Sequence, residues 1–137
     1  MVKFAQWGTK HGHAEGKLQS LLSNPNVEVA GVYEPDEARR QSIEDQAPWS
    51  EANFFDDPSF ILNDESIIAV ASEGANIESL DQTEALVSAG KHVWYDKPAG
   101  NDWEKWQRVV AMARKQGTQL QMGFMFRYHT GFQQVAA

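Results

Sequence analysis

Short runs of β-branched and aromatic residues alternate with stretches of helical periodicity along the whole chain. This is the pattern of a parallel sheet whose strands are joined by crossover helices. Val2 to Gln6 reads as a first strand that meets a turn at Gly8, and Gly12 to Ser23 as a helix that stops before Pro25. Val27 to Tyr33 reads as a second strand ending at Glu34-Pro35, after which Asp36 can cap a charged helix reaching about Asp45. A short third strand is expected within Asn53 to Phe55, with Pro58 opening a brief helix. Ser66 to Ala71 is uninterrupted by charge, as a central strand buried on both faces should be.

Ile77, Leu80, Glu84 and Val87 follow helical spacing, and Gly90 stands where a left-handed cap is expected. His92 to Tyr95 is a fifth strand. Asn101 and Glu104 have capping-box spacing ahead of an apolar stripe formed by Trp103, Trp106, Val109, Val110 and Ala113, in a helix that ends near Gly117. Gln119 to Met125 completes six strands. The expected fold class is α/β, a doubly wound, mostly parallel six-stranded Rossmann-type sheet in the order 3-2-1-4-5-6, with helices on both faces. Residues 1–123 form the dinucleotide-binding domain in this reading, and 124–137 a tail.

Composition narrows the function. A length of 137 residues suits one domain, and 42% hydrophobic with 23% charged residues is an ordinary globular balance. The net charge of −7 repels phosphate backbones and anionic membrane surfaces, so neither nucleic acid nor membrane is an expected partner. There is no cysteine, hence no disulfide framework and no thiol chemistry. No stretch approaches the roughly 20 apolar residues that span a bilayer, and a cytoplasmic location is expected.

Gly8, Thr9, Lys10, His11 and Gly12 lie between the first strand and the first helix, where backbone N–H groups can cradle a pyrophosphate. Lys10 and His13 occupy the second and third positions of the usual three-glycine spacing, and two glycines that simply make a tight turn are an equal reading. Glu34 ends the second strand, where an acid meets the adenosine ribose hydroxyls or is merely a surface residue before a proline. In the first role it favours NAD(H), with NADP(H) possible if Arg39 or Arg40 approaches the ribose; both are expected on the exposed face of the following helix. Asp96 and Lys97, fixed by Pro98 at the carboxyl end of the fifth strand, stand over the ligand crevice. His11 and His13, two apart on a turn, are not expected to converge on a metal as an i, i+4 pair would, and no metal site is expected.

Ala89-Gly90-Lys91-His92-Val93 followed by Asp96-Lys97-Pro98, then Gly123-Phe124-Met125-Phe126-Arg127-Tyr128, resembles the N-terminal domain of the Gfo/Idh/MocA oxidoreductases, with Asp-Lys-Pro in place of the commoner Glu-Lys-Pro. The resemblance implies hydride exchange between nicotinamide and a sugar-like or cyclic alcohol, with Lys97 contacting both substrate and cofactor. It also implies cofactor contacts from Ser72, Asn76, Asp96 and Arg127. A homo-oligomer is compatible with it. Ser72-Glu73-Gly74-Ala75-Asn76-Ile77 departs from the family's Thr-Pro and histidine after the fourth strand. The second, substrate-binding domain of that family is expected to be absent here. A non-catalytic nucleotide-binding or interaction module, or a truncated inactive fragment, is the alternative.

Overall fold

The computed structural model describes residues 1–136. Its strands are β1 (Val2–Trp7), β2 (Val27–Tyr33), β3 (Phe54–Phe55), β4 (Ala69–Ser72), β5 (His92–Tyr95) and β6 (Leu120–Met122). They form one sheet in the order β3-β2-β1-β4-β5-β6, and every neighbouring pair is parallel. This is the Rossmann-type arrangement that the alternation of elements predicts. The helices are α1 (Ala14–Leu22), α2 (Glu37–Ile43), α3 (Ser59–Leu62), α4 (Ser79–Ser88), α5 (Trp103–Gln116) and α6 (Thr130–Ala136).

Two cores flank the sheet. Ala14 and Leu18 of α1 pack with Val32, Ile43 of α2 and Trp49 on one face. Ile61 of α3, Leu80, Leu86 and Val87 of α4, and Val109 and Ala113 of α5 pack with Ala5, Trp7, Val70, Val93 and Tyr95 on the other. Burial of this kind contributes about 25 cal/mol for each Å² of apolar surface, and it selects the faces that the helical spacing marks.

Local signals are partly kept. Asp36 accepts a hydrogen bond from the Arg39 amide as the cap of α2, and Gly90 and Gly117 take left-handed conformations after α4 and α5. The cap of α5 is Asp102, which accepts from the Lys105 amide, not Asn101 of the expected capping box. Trp103, the first residue of the helix, is 68% exposed, and Val109 and Ala113 are its buried positions. Ile77 is likewise exposed, because α4 begins two residues after it. β4 is central as expected but starts at Ala69, with Ile68 already exposed. β6 ends at Met122, three residues short of the expected Met125, where a single 3-10 turn over Met125–Tyr128 leads into α6.

Candidate functional site

The parallel register builds the site. Tyr33, Trp7, Ser72, Tyr95 and Met122 pair across β2, β1, β4, β5 and β6 in one row. The next residue of each strand therefore stands at the carboxyl edge: Glu34, Gly8, Glu73, Asp96 and Gly123. Hydrogen bonds from Gly8 N to Tyr33 O, Glu73 N to Trp7 O and Gly123 N to Tyr95 O continue the ladder there. Three acids and two glycines thus share the edge at which open α/β sheets bind ligands, on either side of the switch between β1 and β4. Gly8 is required: its φ is +88°, and a β-carbon would collide with the backbone of Gly74.

At the β2 end, Glu34 is 4% exposed and its carboxylate accepts from the Thr9 amide (2.8 Å), the Thr9 hydroxyl (2.7 Å) and the Asp36 amide (3.0 Å). Arg39 does not project from the outer face of its helix as expected. Its Nε donates to Thr9 Oγ1 at 3.1 Å and its Nη2 to Thr9 O at 3.2 Å. The cause is tertiary, since the cap at Asp36 aims the first turn of α2 back at the glycine turn. Arg40 is not fully exposed either: it pairs with Glu44 and Asp56 and lies over the Phe54 ring at 5.3 Å.

Over the turn itself, Lys10 spans the crevice, 3.2 Å from Asp36 and 3.3 Å from Glu78. These two carboxylates, Asp36 first, hold its ammonium above the ordinary lysine range. The turn amides are in part already engaged: Thr9 with Glu34, His11 with the Glu73 carbonyl at 3.0 Å, and His13 with the His11 ring at 3.2 Å. Gly12 is exposed at the start of α1 with nothing within 4 Å of a β-carbon placed on it.

At the β5 end, Lys97 is exposed and the Lys97–Pro98 peptide is cis. Its main chain is held on both sides: the amide donates to Asp96 Oδ1 at 2.8 Å, and the carbonyl accepts from His11 Nε2 at 3.3 Å. Asp96 Oδ2 lies 2.9 Å from His13 Nδ1, 3.1 Å from Lys17 Nζ and 3.8 Å from His11 Nδ1. Lys17 also pairs closely with Glu73 Oε1. Burial alone would raise Asp96, but the His13 hydrogen bond and the Lys17 charge outweigh it and hold its carboxyl below the usual range. Glu73 has no such surplus: burial pushes it up to about 7 despite Lys17. Burial also lowers His11, outweighing the nearby Asp96 charge and the hydrogen bond to the Lys97 carbonyl.

The structure therefore brings His11 and His13 together, with rings 5.0 Å apart and both Nδ1 atoms near Asp96, contrary to the expectation that they diverge. The turn bends where a helix would have separated them. Ser72 is buried, its hydroxyl donating to Ser79 O and accepting from Thr83, so it serves the start of α4. Asn76 and Arg127 are exposed. Sequence reasoning passed over Lys17 and Glu73. The signal for Lys17 was present, because it falls among Ala14, Leu18 and Leu21 on the buried stripe of α1. A lysine on a core-facing stripe demands an acid partner.

Beside this cluster an open cleft of about 450 Å³ runs between α1 and β5-β6, lined in part by His13, Lys17, Trp94, Asp96, Phe124 and Tyr128. Lys17 lies 4.6 Å from the centre of the Trp94 ring. No helix among the described residues is long and apolar enough to cross a membrane.

Residues 4–124 match the Gfo/Idh/MocA family, described as an oxidoreductase family with an NAD-binding Rossmann fold. The chain is 31% identical over 110 residues to an inositol 2-dehydrogenase of Salmonella typhimurium, covering 80% of this chain and 32% of that one. An inositol 2-dehydrogenase of Paracoccus denitrificans is 33% identical over 108 residues, covering 76% and 31%. Among solved structures, a UDP-N-acetylglucosamine 3-dehydrogenase from Acidithiobacillus ferrooxidans superposes with a TM-score of 0.82 at 19% identity, covering 98% of this chain and 42% of that one. A 3-ketoreductase from Actinomadura kijaniata, solved with NADP, gives 0.80 at 23% identity, covering 98% and 41%. The chain spans about a third of the length of the curated relatives it matches. It belongs to the Gfo/Idh/MocA oxidoreductase family and corresponds to that family's NAD(P)-binding Rossmann domain.

Proposed function

We propose that the chain is the dinucleotide-binding part of an NAD(P)-dependent dehydrogenase acting on a cyclic polyol or sugar-like alcohol, with Lys97 as its acid–base group. The observation that carries this reading is the double anchoring of the Lys97 main chain by Asp96 and His11, which leaves the side chain exposed at the strand end. The inositol 2-dehydrogenase relatives support the substrate class. The bound nicotinamide would supply the hydride acceptor or donor. Gly12 is exposed and unobstructed just ahead of α1, and Lys10 can exchange its two exposed carboxylates for phosphate. Lys97 would hold and pass the proton of the reacting hydroxyl.

NAD(H) is the favoured cofactor in this reading. Glu34 and Asp36 put two carboxylates at the end of β2, where a 2′-phosphate would meet them, against the single guanidinium of Arg39. Calorimetry with both dinucleotides tests it: NAD(H) should bind more tightly, and Arg39→Ala should weaken NADP(H) more than NAD(H). Tighter NADP(H) binding to the wild-type chain overturns the preference. The catalytic assignment is tested in a fusion to the second domain of an inositol dehydrogenase relative. There Lys97→Ala should lower kcat with cofactor affinity changed less.

A second reading, a nucleotide-free interaction module, is favoured by the Lys10 bridge across the crevice and by the turn amides already engaged. Absence of binding by either dinucleotide to the folded chain selects it.

A further inference from the structure

The cluster at the carboxyl edge of β1, β4 and β5 contains one atom that hydrogen bonding does not account for. Glu73 Oε2 is fully buried and has no hydrogen-bond partner among the described residues. It lies 3.4 Å from His11 Nδ1, itself 3.8 Å from Asp96 Oδ2, which is 2.9 Å from His13 Nδ1. Donors around a four-coordinate ion at about 2.1 Å stand about 3.4 Å apart, and one ligand atom each from His11, His13 and Asp96 lie within 4.8 Å of one another, close enough for a small closure to bring them onto one ion.

The rings are oriented for it as well. His11 Nε2 donates to the Lys97 carbonyl, which leaves Nδ1 as an acceptor facing the two acids, taken up only by the 3.2 Å contact from the His13 amide. A ligating histidine typically gives its other N–H to a carbonyl or carboxylate in this way. We propose that His11, His13 and Asp96 form a site for one borderline divalent transition ion, Zn2+ or a close relative, with the free oxygen of Glu73 as a negative neighbour on the His11 side. Two imidazoles and a carboxylate suit such an ion better than Mg2+ or Ca2+, which take oxygen ligands.

Lys17 opposes the ion and sets the strength of the site. Its ammonium lies 3.1 Å from Asp96 Oδ2 while pairing with the other oxygen of Glu73. Binding the ion displaces the Asp96 contact and the 3.2 Å contact of the His13 amide on His11, and leaves the Glu73 Oε1 pair in place. Two carboxylates against one ammonium leave one negative charge for the dication to meet. The ion would tie the turn after β1 to the segment carrying Lys97 without touching the lysine side chain. This inference does not depend on cofactor binding.

The test is calorimetric titration of the 137-residue chain with ZnCl2 alone, paired with the visible absorption of added Co2+, whose intensity reports four-coordination. One ion per chain is expected. His13→Ala, whose side chain is a third exposed and so tolerates replacement, and Asp96→Asn should each weaken binding about tenfold or more. His92→Ala and His129→Ala should leave it unchanged. Lys17→Gln keeps a donor but removes the repelling charge, so Zn2+ should bind more tightly to it and raise its melting temperature more than that of the wild type. A role confined to folding predicts no such gain. Absence of stoichiometric Zn2+ binding to the folded wild-type chain overturns the proposal, as does binding that survives the combined His11→Ala and His13→Ala change.

Discussion

The two halves of the carboxyl edge bury their acids by different means. At the end of β2, Glu34 is held by neutral donors: two main-chain amides and the Thr9 hydroxyl. At the ends of β4 and β5, Glu73 and Asp96 share one buried ammonium, that of Lys17, and Asp96 takes His13 in addition. Neutral donors belong to the turn and come with the fold. A single cation divided between two carboxylates satisfies one of them, and Glu73 is the acid left short. The β2 half is thus a structural brace, whereas the β4-β5 half leaves one buried acid short of counter-charge.

The largest effect on this contrast comes from removing the shared cation. Lys17→Ala strands two buried carboxylates and should cost about 3–5 kcal/mol in denaturant unfolding. Adding Glu73→Gln should recover part of it, and a loss no greater than that of an exposed lysine would erase the distinction between the halves. Next in size is the response to pH, measured with a chelator present. Glu73 is raised from an ordinary 4.5 to about 7 in the folded chain. Between those values the folded chain holds the extra proton, so stability should fall as pH rises through the window, with the contribution complete below about 4.5. Asp96, held low, acts in the opposite sense and loses its contribution in acid. Glu73→Gln should flatten the slope; an unchanged slope would assign it to another group.

Smaller again, Glu34→Gln exchanges a charged acceptor for a neutral one and should cost about 1–2 kcal/mol in denaturant unfolding. Smallest is Lys10→Ala, whose ion pairs are solvent-exposed and worth at most about 1 kcal/mol of stability. Its sharper readout is dinucleotide affinity. That should fall if Lys10 reaches phosphate, and should rise if the bridge to Asp36 and Glu78 merely obstructs the crevice.

The sheet order and the role of β4 as a central strand were legible because short β-rich runs alternating with helical periods, one of them free of charge, leave few topologies open once crossovers are right-handed. Caps at Asp36, Gly90 and Gly117 were legible because they act within a turn of chain. The α5 cap was not, since Asn101 and Asp102 are both good capping residues and only the packing of Val109 and Ala113 chooses between them. The direction of Arg39 was hidden for the same reason, as it depends on where α2 lies against the Thr9 turn.

The order of elements, the glycine turn after β1 and the Asp96-Lys97-Pro98 turn at the end of β5 could be read from the chain, because each is written in residues adjacent along it. That His11, His13, Lys17, Glu73 and Asp96 meet could not be read there and follows from how the strands pack. Lys17 lies 56 residues from Glu73, and His13 lies 83 from Asp96. Parallel register alone puts Trp7, Ser72 and Tyr95 in one row, so that the residues after them share an edge. A periodicity read along the chain carries no information about that alignment. It is set by which strands neighbour one another, and by one buried lysine that must find its acids.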